Sequence, residues 1–99
     1  MSDPAIGRVV VAGTTTLRFP QHVKFRHDTT RGQWVVLAPE RLLLPDETAV
    51  EILKLIDGSR PVDDMVATLA ARFDAPRDVI SADVIAVLQD LVDKGVLAA

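Results

Sequence analysis

The hydrophobic pattern of this chain changes at Ala38-Pro39-Glu40-Arg41-Leu42-Leu43-Leu44-Pro45. Before this stretch apolar residues alternate as they do in strands, and after it they recur as they do in helices. A short apolar run between prolines is typical of an edge strand, because proline has no N–H to donate to a neighbouring strand. We therefore predict a strand that Pro39 opens and Pro45 closes.

Side chains alternate between the two faces of this predicted strand. Leu42 and Leu44 share one face, and Arg41 and Leu43 share the other. One pair can enter a core, which leaves Leu43 to be explained. It is either part of a strand buried on both faces, or a single exposed leucine without a role, or part of an open edge that accepts a partner.

The composition sets limits on the kind of protein. Ninety-nine residues with 48% hydrophobic content predict one compact domain. Because the chain has no cysteine, it has no disulfide, no catalytic thiolate, no zinc–thiolate site and no iron–sulfur cluster of its own. We expect no cofactor. No apolar run approaches the length of a membrane span and no secretory signal is recognisable, so we expect a cytoplasmic protein that does not bind membranes.

Charge is distributed unevenly along the chain. Residues 1–41 contain six basic and three acidic side chains, whereas residues 42–99 contain five basic and eleven acidic ones. The strand half is therefore basic and the helical half acidic. This is either an ordinary pair of solvated surfaces or a field that steers an unevenly charged partner.

The first part of the chain predicts a tail and three strands. Residues 1–17 show no sustained period, and we interpret them as a flexible N-terminal tail or linker before a domain at 18–99. Alternation from Val23 to His27 predicts the first strand, and the turn residues from Asp28 to Gly32 predict a hairpin loop. Trp34–Leu37 is apolar on both faces, as a central strand requires.

Three helices are predicted after Pro45. Asp46 is the expected N-cap of the first helix, Gly58 its left-handed end and Pro61 the start of the second. The third helix is expected from about Asp78 to Lys94, with Gly95 as its cap. The predicted buried stripe of the second helix consists of Val62, Val66, Leu69 and Phe73.

The third predicted helix has a wider apolar arc than its own core needs. In angular order the arc contains Val87, Ile80, Leu91, Val84, Leu88, Val92 and Ile85. Three explanations are open: the helix is deeply buried on two sides, the excess is a homodimer contact, or one flank lines a groove.

The predicted fold class is α+β, with a three-stranded antiparallel sheet followed by three helices, as in winged helix-turn-helix modules. We do not expect nucleic-acid binding. The polar side of the third helix holds Asp78, Asp83, Asp90 and Asp93, which would repel a phosphate backbone.

Catalysis by this chain alone is also not expected. The two histidines, His22 and His27, lie five positions apart on one strand and so face opposite ways, which prevents a two-histidine metal site. The sequence contains no phosphate-binding glycine loop and no nucleophile elbow.

Several segments together resemble the PqqD family of pyrroloquinoline quinone (PQQ) biosynthesis. They are Val23-Lys24-Phe25-Arg26-His27-Asp28, Trp34-Val35-Val36-Leu37-Ala38-Pro39-Glu40, Ile52-Leu53-Lys54-Leu55-Ile56-Asp57-Gly58, and Asp83-Val84 with Leu88, Leu91 and Gly95. The similarity runs from about His22 to the end. Two positions depart from the family pattern: His27 replaces a tyrosine, and Pro61 replaces a helix-capping threonine.

The resemblance implies a peptide chaperone that acts as a leader-recognition element. PqqD-like proteins bind the precursor peptide PqqA and deliver it to PqqE, a radical S-adenosylmethionine enzyme. In related modules the leader adds as a strand to the third strand and lies against the third helix.

We therefore predict peptide binding by strand addition. The candidate binding residues are Arg41, Leu42, Leu43, Leu44, Val84, Val87, Leu88 and Leu91. Arg41, with Arg26 or Lys24, is expected to favour acidic leader residues. The competing interpretation is a protein–protein adaptor or homodimerisation module without a peptide role.

Overall fold

A computed structural model of the chain describes residues 9–99. Its elements are β1 (Lys24–Asp28), β2 (Gln33–Ala38), β3 (Arg41–Leu43), α1 (Glu47–Leu53), α2 (Val62–Phe73) and α3 (Arg77–Asp93). Within the described residues this is the predicted order of three antiparallel strands followed by three helices, and the α+β prediction is confirmed. No described helix has the length and apolar character that crossing a membrane requires.

The sheet has the order β1-β2-β3, so β2 is the central strand. Asp28 pairs with Gln33 at the closed end of the first hairpin. Its Oδ1 accepts hydrogen bonds from the N–H groups of Thr30 (3.0 Å) and Arg31 (3.2 Å), and Gly32 has a φ of 68°. A side-chain cap and a residue free to adopt positive φ make this loop, as predicted.

The second hairpin differs from the prediction at its turn. Ala38 pairs with Arg41, so Pro39 and Glu40 form a two-residue turn, in which Glu40 has a φ of 61°. Pro39 therefore precedes the strand rather than opening it, and β3 ends at Leu43, two residues before Pro45.

The sequence suggests that Leu42 and Leu44 could enter the core as a pair, and the structure shows the reverse. Leu43 packs against the core cluster, whereas Leu42 and Leu44 are 46% and 54% exposed. The turn at Pro39 and Glu40 fixes this register, because it pairs Leu43 with Val36, which is buried beneath the helices. The single leucine, and not the pair, enters the core.

Helix α1 begins as predicted and ends early. Asp46 Oδ1 accepts a hydrogen bond from the N–H of Ala49 at 2.8 Å, which confirms Asp46 as the N-cap. The helix ends at Leu53, and the next turn tightens, since the N–H of Ile56 bonds to the carbonyl of Leu53. Gly58 has positive φ but lies beyond this turn, so its predicted role as the helix cap is wrong.

Helices α2 and α3 meet at a sharp corner. Asp74 ends α2 in the left-handed conformation, with a φ of 48°. Phe73, predicted to be buried, is 54% exposed because it lies on the last turn beyond the core. At the other end of α3 the N–H of Gly95 bonds to Val92 and that of Val96 to Leu91, the double closure of a Schellman motif.

Residues 9–17 form what we call the N-terminal strap, and they are not a tail. Val11 and Leu17 are 5% and 2% exposed and belong to the core cluster. The prediction of a flexible segment is therefore wrong for these nine positions, because Val11 and Leu17 anchor the segment in the core. Its remaining part, residues 1–8, lies outside the described residues.

The strap also caps helix α2. Pro61 offers no side-chain hydrogen bond at the helix N-terminus. Instead the N–H of Val62 bonds to the carbonyl of Thr15 (2.9 Å) and that of Asp63 to the carbonyl of Gly13 (2.8 Å). Backbone carbonyls of the strap thus accept the hydrogen bonds that a capping side chain would otherwise accept from these N–H groups.

Candidate functional site

Strand β3 and helix α3 run alongside each other in opposite directions. At one end Arg41 Nη1, in the first residue of β3, donates to the carbonyl of Lys94 just after α3, at 3.3 Å. At the other end Pro45, which follows β3, lines the same cleft as Ile80 and Val84 of α3. These two points place the ends of β3 near the two ends of α3, and we call the surface between the two elements the channel.

One flank of α3 is closed by the chain itself. The side-chain amide of Gln89 accepts a hydrogen bond from the N–H of Val11 (2.8 Å) and donates one to the carbonyl of Val9 (2.9 Å). Ile85 and Val92 lie on the same side of the helix as Gln89, one turn away in each direction. We call these three positions the strap flank.

The opposite flank of α3 faces the channel. Ile80, Asp83 and Val87 share this side at helical spacing, and we call them the channel flank. Ile80 and Asp83 line the cleft, and Ile80 and Val87 are half-buried against the core cluster. The strap contacts that we describe lie on the far side of the helix.

The channel opens into a cleft of about 1120 Å³ between the sheet, α1 and the ends of α2 and α3. Its apolar walls include Trp34, Phe73 and Ile80. Trp34 is fixed in place by stacking on Phe25, with ring centroids 4.8 Å apart. The cleft therefore has a rigid aromatic side that can receive an apolar side chain.

Charged groups around the cleft are largely paired with each other. Glu51 accepts hydrogen bonds from Arg72 Nη1 at 2.6 Å and from Lys54 Nζ at 3.5 Å. Lys54 Nζ also lies 5.2 Å from the centroid of the Trp34 ring. Asp83 lines the same cleft and takes part in no ion pair within the described chain.

The sequence-predicted site residues separate into accessible and buried groups. Arg41, Leu42 and Leu44 are exposed, and Leu43 and Val87 are half-buried. The buried ones are Val84 (2% exposed), Leu88 (0%) and Leu91 (9%). Of these three only Val84 borders the cleft, while Leu88 and Leu91 lie within the core cluster.

The sequence-based set contains only Val84 of the residues that line the cleft, and three of the large side chains it missed are Ile80, Trp34 and Phe73. Ile80 was in the apolar arc of the third helix but was not chosen as a binding residue. Trp34 was interpreted only as a central-strand residue and Phe73 only as core. Large aromatic residues at the end of a strand and the end of a helix are the signal that points to them.

Two basic residues predicted to assist peptide binding lie elsewhere. Lys24 and Arg26 are on β1, and β2 separates them from β3. With neighbouring strands about 4.8 Å apart, β1 lies roughly 10 Å from the edge strand. They therefore do not line the channel beside β3. The two histidines are both exposed, and no group of metal-ligating side chains forms within residues 9–99.

The family model for coenzyme PQQ synthesis protein D (PqqD) matches residues 33–97. The chain belongs to the PqqD family. The matched range starts at β2 and includes β3 and all three helices, and therefore the whole channel.

Related PqqD chains extend the match toward the N-terminus. A PqqA binding protein of Bradyrhizobium diazoefficiens is 58% identical over 78 residues, which is 79% of this chain and 76% of that protein. A PqqA binding protein of Rhodopseudomonas palustris is 51% identical over 91% of this chain and 88% of its own length. A bifunctional coenzyme PQQ synthesis protein C/D of Methylorubrum extorquens is 38% identical over 87% of this chain, which spans 23% of that longer protein.

Two solved PqqD structures resemble this fold. The solution structure of the PqqD truncation of Methylobacterium extorquens PqqCD, described as a stand-alone recognition element for ribosomally synthesised and post-translationally modified peptides, has a TM-score of 0.77. It is 37% identical over 90% of this chain and 95% of its own. The crystal structure of PqqD from Xanthomonas campestris has a TM-score of 0.58, with 34% identity over 90% of this chain and 99% of its own.

Proposed function

We propose that this protein is a non-catalytic peptide chaperone of PQQ biosynthesis that binds the precursor peptide PqqA along the edge of β3 and presents it to the radical S-adenosylmethionine enzyme PqqE. The observation that carries this proposal is the channel between the channel flank of α3 and the outer edge of β3, which pairs with no further strand among residues 9–99. The relatives named as PqqA binding proteins support the choice of peptide.

The open edge of β3 supports strand addition. A two-residue turn closes on a hydrogen bond between the residues that flank it, here Ala38 and Arg41. Bonded and non-bonded pairs alternate along an antiparallel ladder. We therefore expect the N–H and C=O of Leu42 to point away from β2, toward an incoming peptide, and those of Leu43 to point toward β2.

Side-chain selectivity comes from the wall opposite the edge. A strand placed beside β3 directs alternate side chains toward α3, where Ile80 and Val87 offer half-buried apolar surface. At the cleft end the peptide meets Trp34 and Phe73. In this arrangement the peptide contacts the channel flank, and Leu88 and Leu91 support that flank from the core.

The two ends of the channel differ in charge. Arg41 lies at one end, whereas Asp83 lies at the cleft end. Backbone pairing at the edge accepts any sequence, so this difference and the apolar wall together favour one placement of the peptide over others.

The test is a proline substitution at the outward-facing position. Leu42→Pro removes one N–H donor from the free edge and obstructs the approach of a partner strand. We expect the variant to remain folded, because the ladder to β2 keeps its bonds, and to bind labelled PqqA at least about tenfold more weakly, a loss of roughly 1.4 kcal/mol. Fluorescence anisotropy measures the affinity and circular dichroism checks the fold.

Two controls make the result specific. Leu42→Ala keeps the N–H and removes only side-chain surface, so its affinity is expected to stay within about threefold of the parent, roughly 0.6 kcal/mol. Leu43→Pro removes a donor to β2 and should instead lower the free energy of unfolding. A folded Leu42→Pro variant with parental affinity would disprove strand addition at β3.

A further inference from the structure

The sheet has a second surface, turned away from the helices, that the channel does not use. Phe25, Val36 and Leu43 face the core cluster, so their strand neighbours face the other way. We call this the outer face. Its members outside the buried centre at Val35 are Lys24, Arg26, Asp28, Gln33, Leu37, Leu42 and Leu44, of which Asp28 is paired with Arg31 of the hairpin loop.

The cations of the outer face have no partner within the described chain. Lys24 and Arg26 are exposed, and neither side chain makes an ion pair or hydrogen bond with any of residues 9–99. Four of the five cations of the helical half behave differently. Lys54, Arg60, Arg72 and Lys94 each pair with a carboxylate. Arg18, Arg41 and Arg77 also lack a carboxylate partner within the described chain, but each lies on a different element, whereas Lys24 and Arg26 share one face of the sheet.

Apolar side chains lie beside these cations. Lys24, Leu37 and Leu42 form one row across the three strands. Leu42 and Leu44, at the β3 side of the face, are 46% and 54% exposed. A surface with exposed leucines at one side and unpaired cations at the other is suited to a protein partner that carries acidic groups.

Strand addition at β3 would enlarge this same face. An added strand directs every second side chain toward the channel and the others to the opposite side. Those others would lie next to Leu42 on the outer face. The empty and the loaded protein would therefore present different surfaces to a third molecule.

We propose that the outer face, completed by the bound peptide, docks onto an acidic surface of the enzyme that modifies the peptide. This inference rests on the proposed function, in which PqqA is the peptide and PqqE the enzyme. Docking of this kind lets the enzyme distinguish loaded from empty chaperone. An interaction that depends on two exposed cations is weak, fast and sensitive to salt, as delivery of a peptide requires.

The test reverses the two free cations in Lys24→Glu/Arg26→Glu. β2 separates both residues from the edge strand, so PqqA affinity, measured with labelled peptide, is expected to stay within about twofold of the parent. The affinity of PqqE for the PqqA-loaded variant is expected to fall about tenfold or more at low salt. Raising the salt concentration should weaken the parent complex and bring it close to the variant.

A matched variant controls for the change in net charge. Arg18→Glu/Arg77→Glu makes the same change at exposed positions outside the sheet, and should leave both affinities near those of the parent. Circular dichroism verifies that each variant is folded.

Three outcomes would overturn the inference, and they are distinguishable. If the parent does not bind PqqA, the proposed function fails together with it. If PqqA binds and PqqE holds the Lys24→Glu/Arg26→Glu variant as tightly as the parent, or holds empty and loaded parent equally, only the docking inference fails. If the parent self-associates without PqqE and the reversal makes it monomeric, a second copy of the chain occupies the outer face instead.

Discussion

The two flanks of α3 are similar in sequence and different in surroundings. Each carries a half-buried isoleucine against the core, Ile85 on the strap flank and Ile80 on the channel flank. The strap is pinned along the first by Gln89, whose amide bonds to the backbone of Val9 and Val11. The second lines an open cleft together with Pro45, which follows β3.

This difference explains the wide apolar arc of the helix. Part of the surplus is covered by residues of the same chain, as deep burial on two sides requires. The other part, at Ile80, lines an open cleft. Burial by the chain itself accounts for one flank, and a peptide groove is our proposal for the other, so the apolar width of a helix predicts coverage but not which molecule provides it.

The largest effect is expected from weakening the strap itself. Leu17 is 2% exposed in the core cluster, so Leu17→Ala should lower the free energy of unfolding by about 2–4 kcal/mol. Chemical denaturation measures this. Val10→Ala is the control, since Val10 is 67% exposed, and its change should be below about 0.5 kcal/mol. Equal stability of the two variants would show that the strap does not pack.

The second prediction compares the same substitution on the two flanks. Ile80→Ala should weaken PqqA binding about tenfold, roughly 1.4 kcal/mol, because Ile80 lines the cleft. Ile85→Ala removes the same atoms from the strap flank and should leave peptide affinity unchanged. Both should cost about 1–2 kcal/mol of stability, since each residue is half-buried. If Ile85→Ala impairs peptide binding as much as Ile80→Ala, the choice of flank is wrong.

A smaller effect is expected at the link between strap and helix. Gln89→Ala removes two hydrogen bonds to the strap backbone, each with a net value of about 1 kcal/mol or less where water has access. The melting temperature should fall by a few degrees while PqqA affinity stays the same. Gln89→Glu keeps the acceptor for Val11 but sets a carboxylate against the carbonyl of Val9 and against Asp93 Oδ1, to which Gln89 Nε2 donates at 2.9 Å, so near neutral pH its stability should be no higher than that of Gln89→Ala.

Local chemistry was enough to predict much of the fold. Asp46 and Gly95 mark helix ends through bonds to residues within a few positions, and the loop at Asp28 is closed by its own side chain. Such signals need no knowledge of distant parts of the chain. The order of strands and helices follows from them.

The strap could not be predicted in the same way. Its partners are 78 and 80 positions away at Gln89, and its carbonyls replace a helix cap that Pro61 does not supply. Local sequence shows only a short apolar patch among threonines and glycine. Burial of Val11 and Leu17 is a property of the assembled helices and not of the segment.

The sequence singles out the third strand and the third helix as the candidate site but does not fix how their side chains are placed. Alternation at Arg41–Leu44 identifies two faces but not which of them meets the helices, because both carry leucine. The two-residue turn at Pro39 and Glu40 decides it. Helical periodicity likewise does not show which side of α3 meets the core. The sequence-based set therefore included Leu88 and Leu91, which lie in the core, and omitted Ile80, which lines the cleft.

The smallest effect is expected from Asp57, which lies in the loop between α1 and α2 and does not line the cleft. The N–H groups of Ser59 and Arg60 donate to its Oδ1 and hold the pKa of its carboxyl below the ordinary value of 3.8. The folded state therefore favours the ionised form. This stabilisation is complete above the pKa of the unfolded chain and is lost as the pH falls through the lower folded value.

Asp57→Asn should reduce the loss of melting temperature between pH 6 and about pH 2.5, because the amide cannot titrate. Near neutral pH its affinity for PqqA and the difference between Ile80→Ala and Ile85→Ala should be unchanged, since neither flank of α3 contacts this loop in the hydrogen bonds described above. A variant that changes peptide affinity as well would show that the α1–α2 loop, through Lys54 or Glu51 at the cleft, is coupled to the channel. The residues that determine peptide affinity would then include positions outside α3.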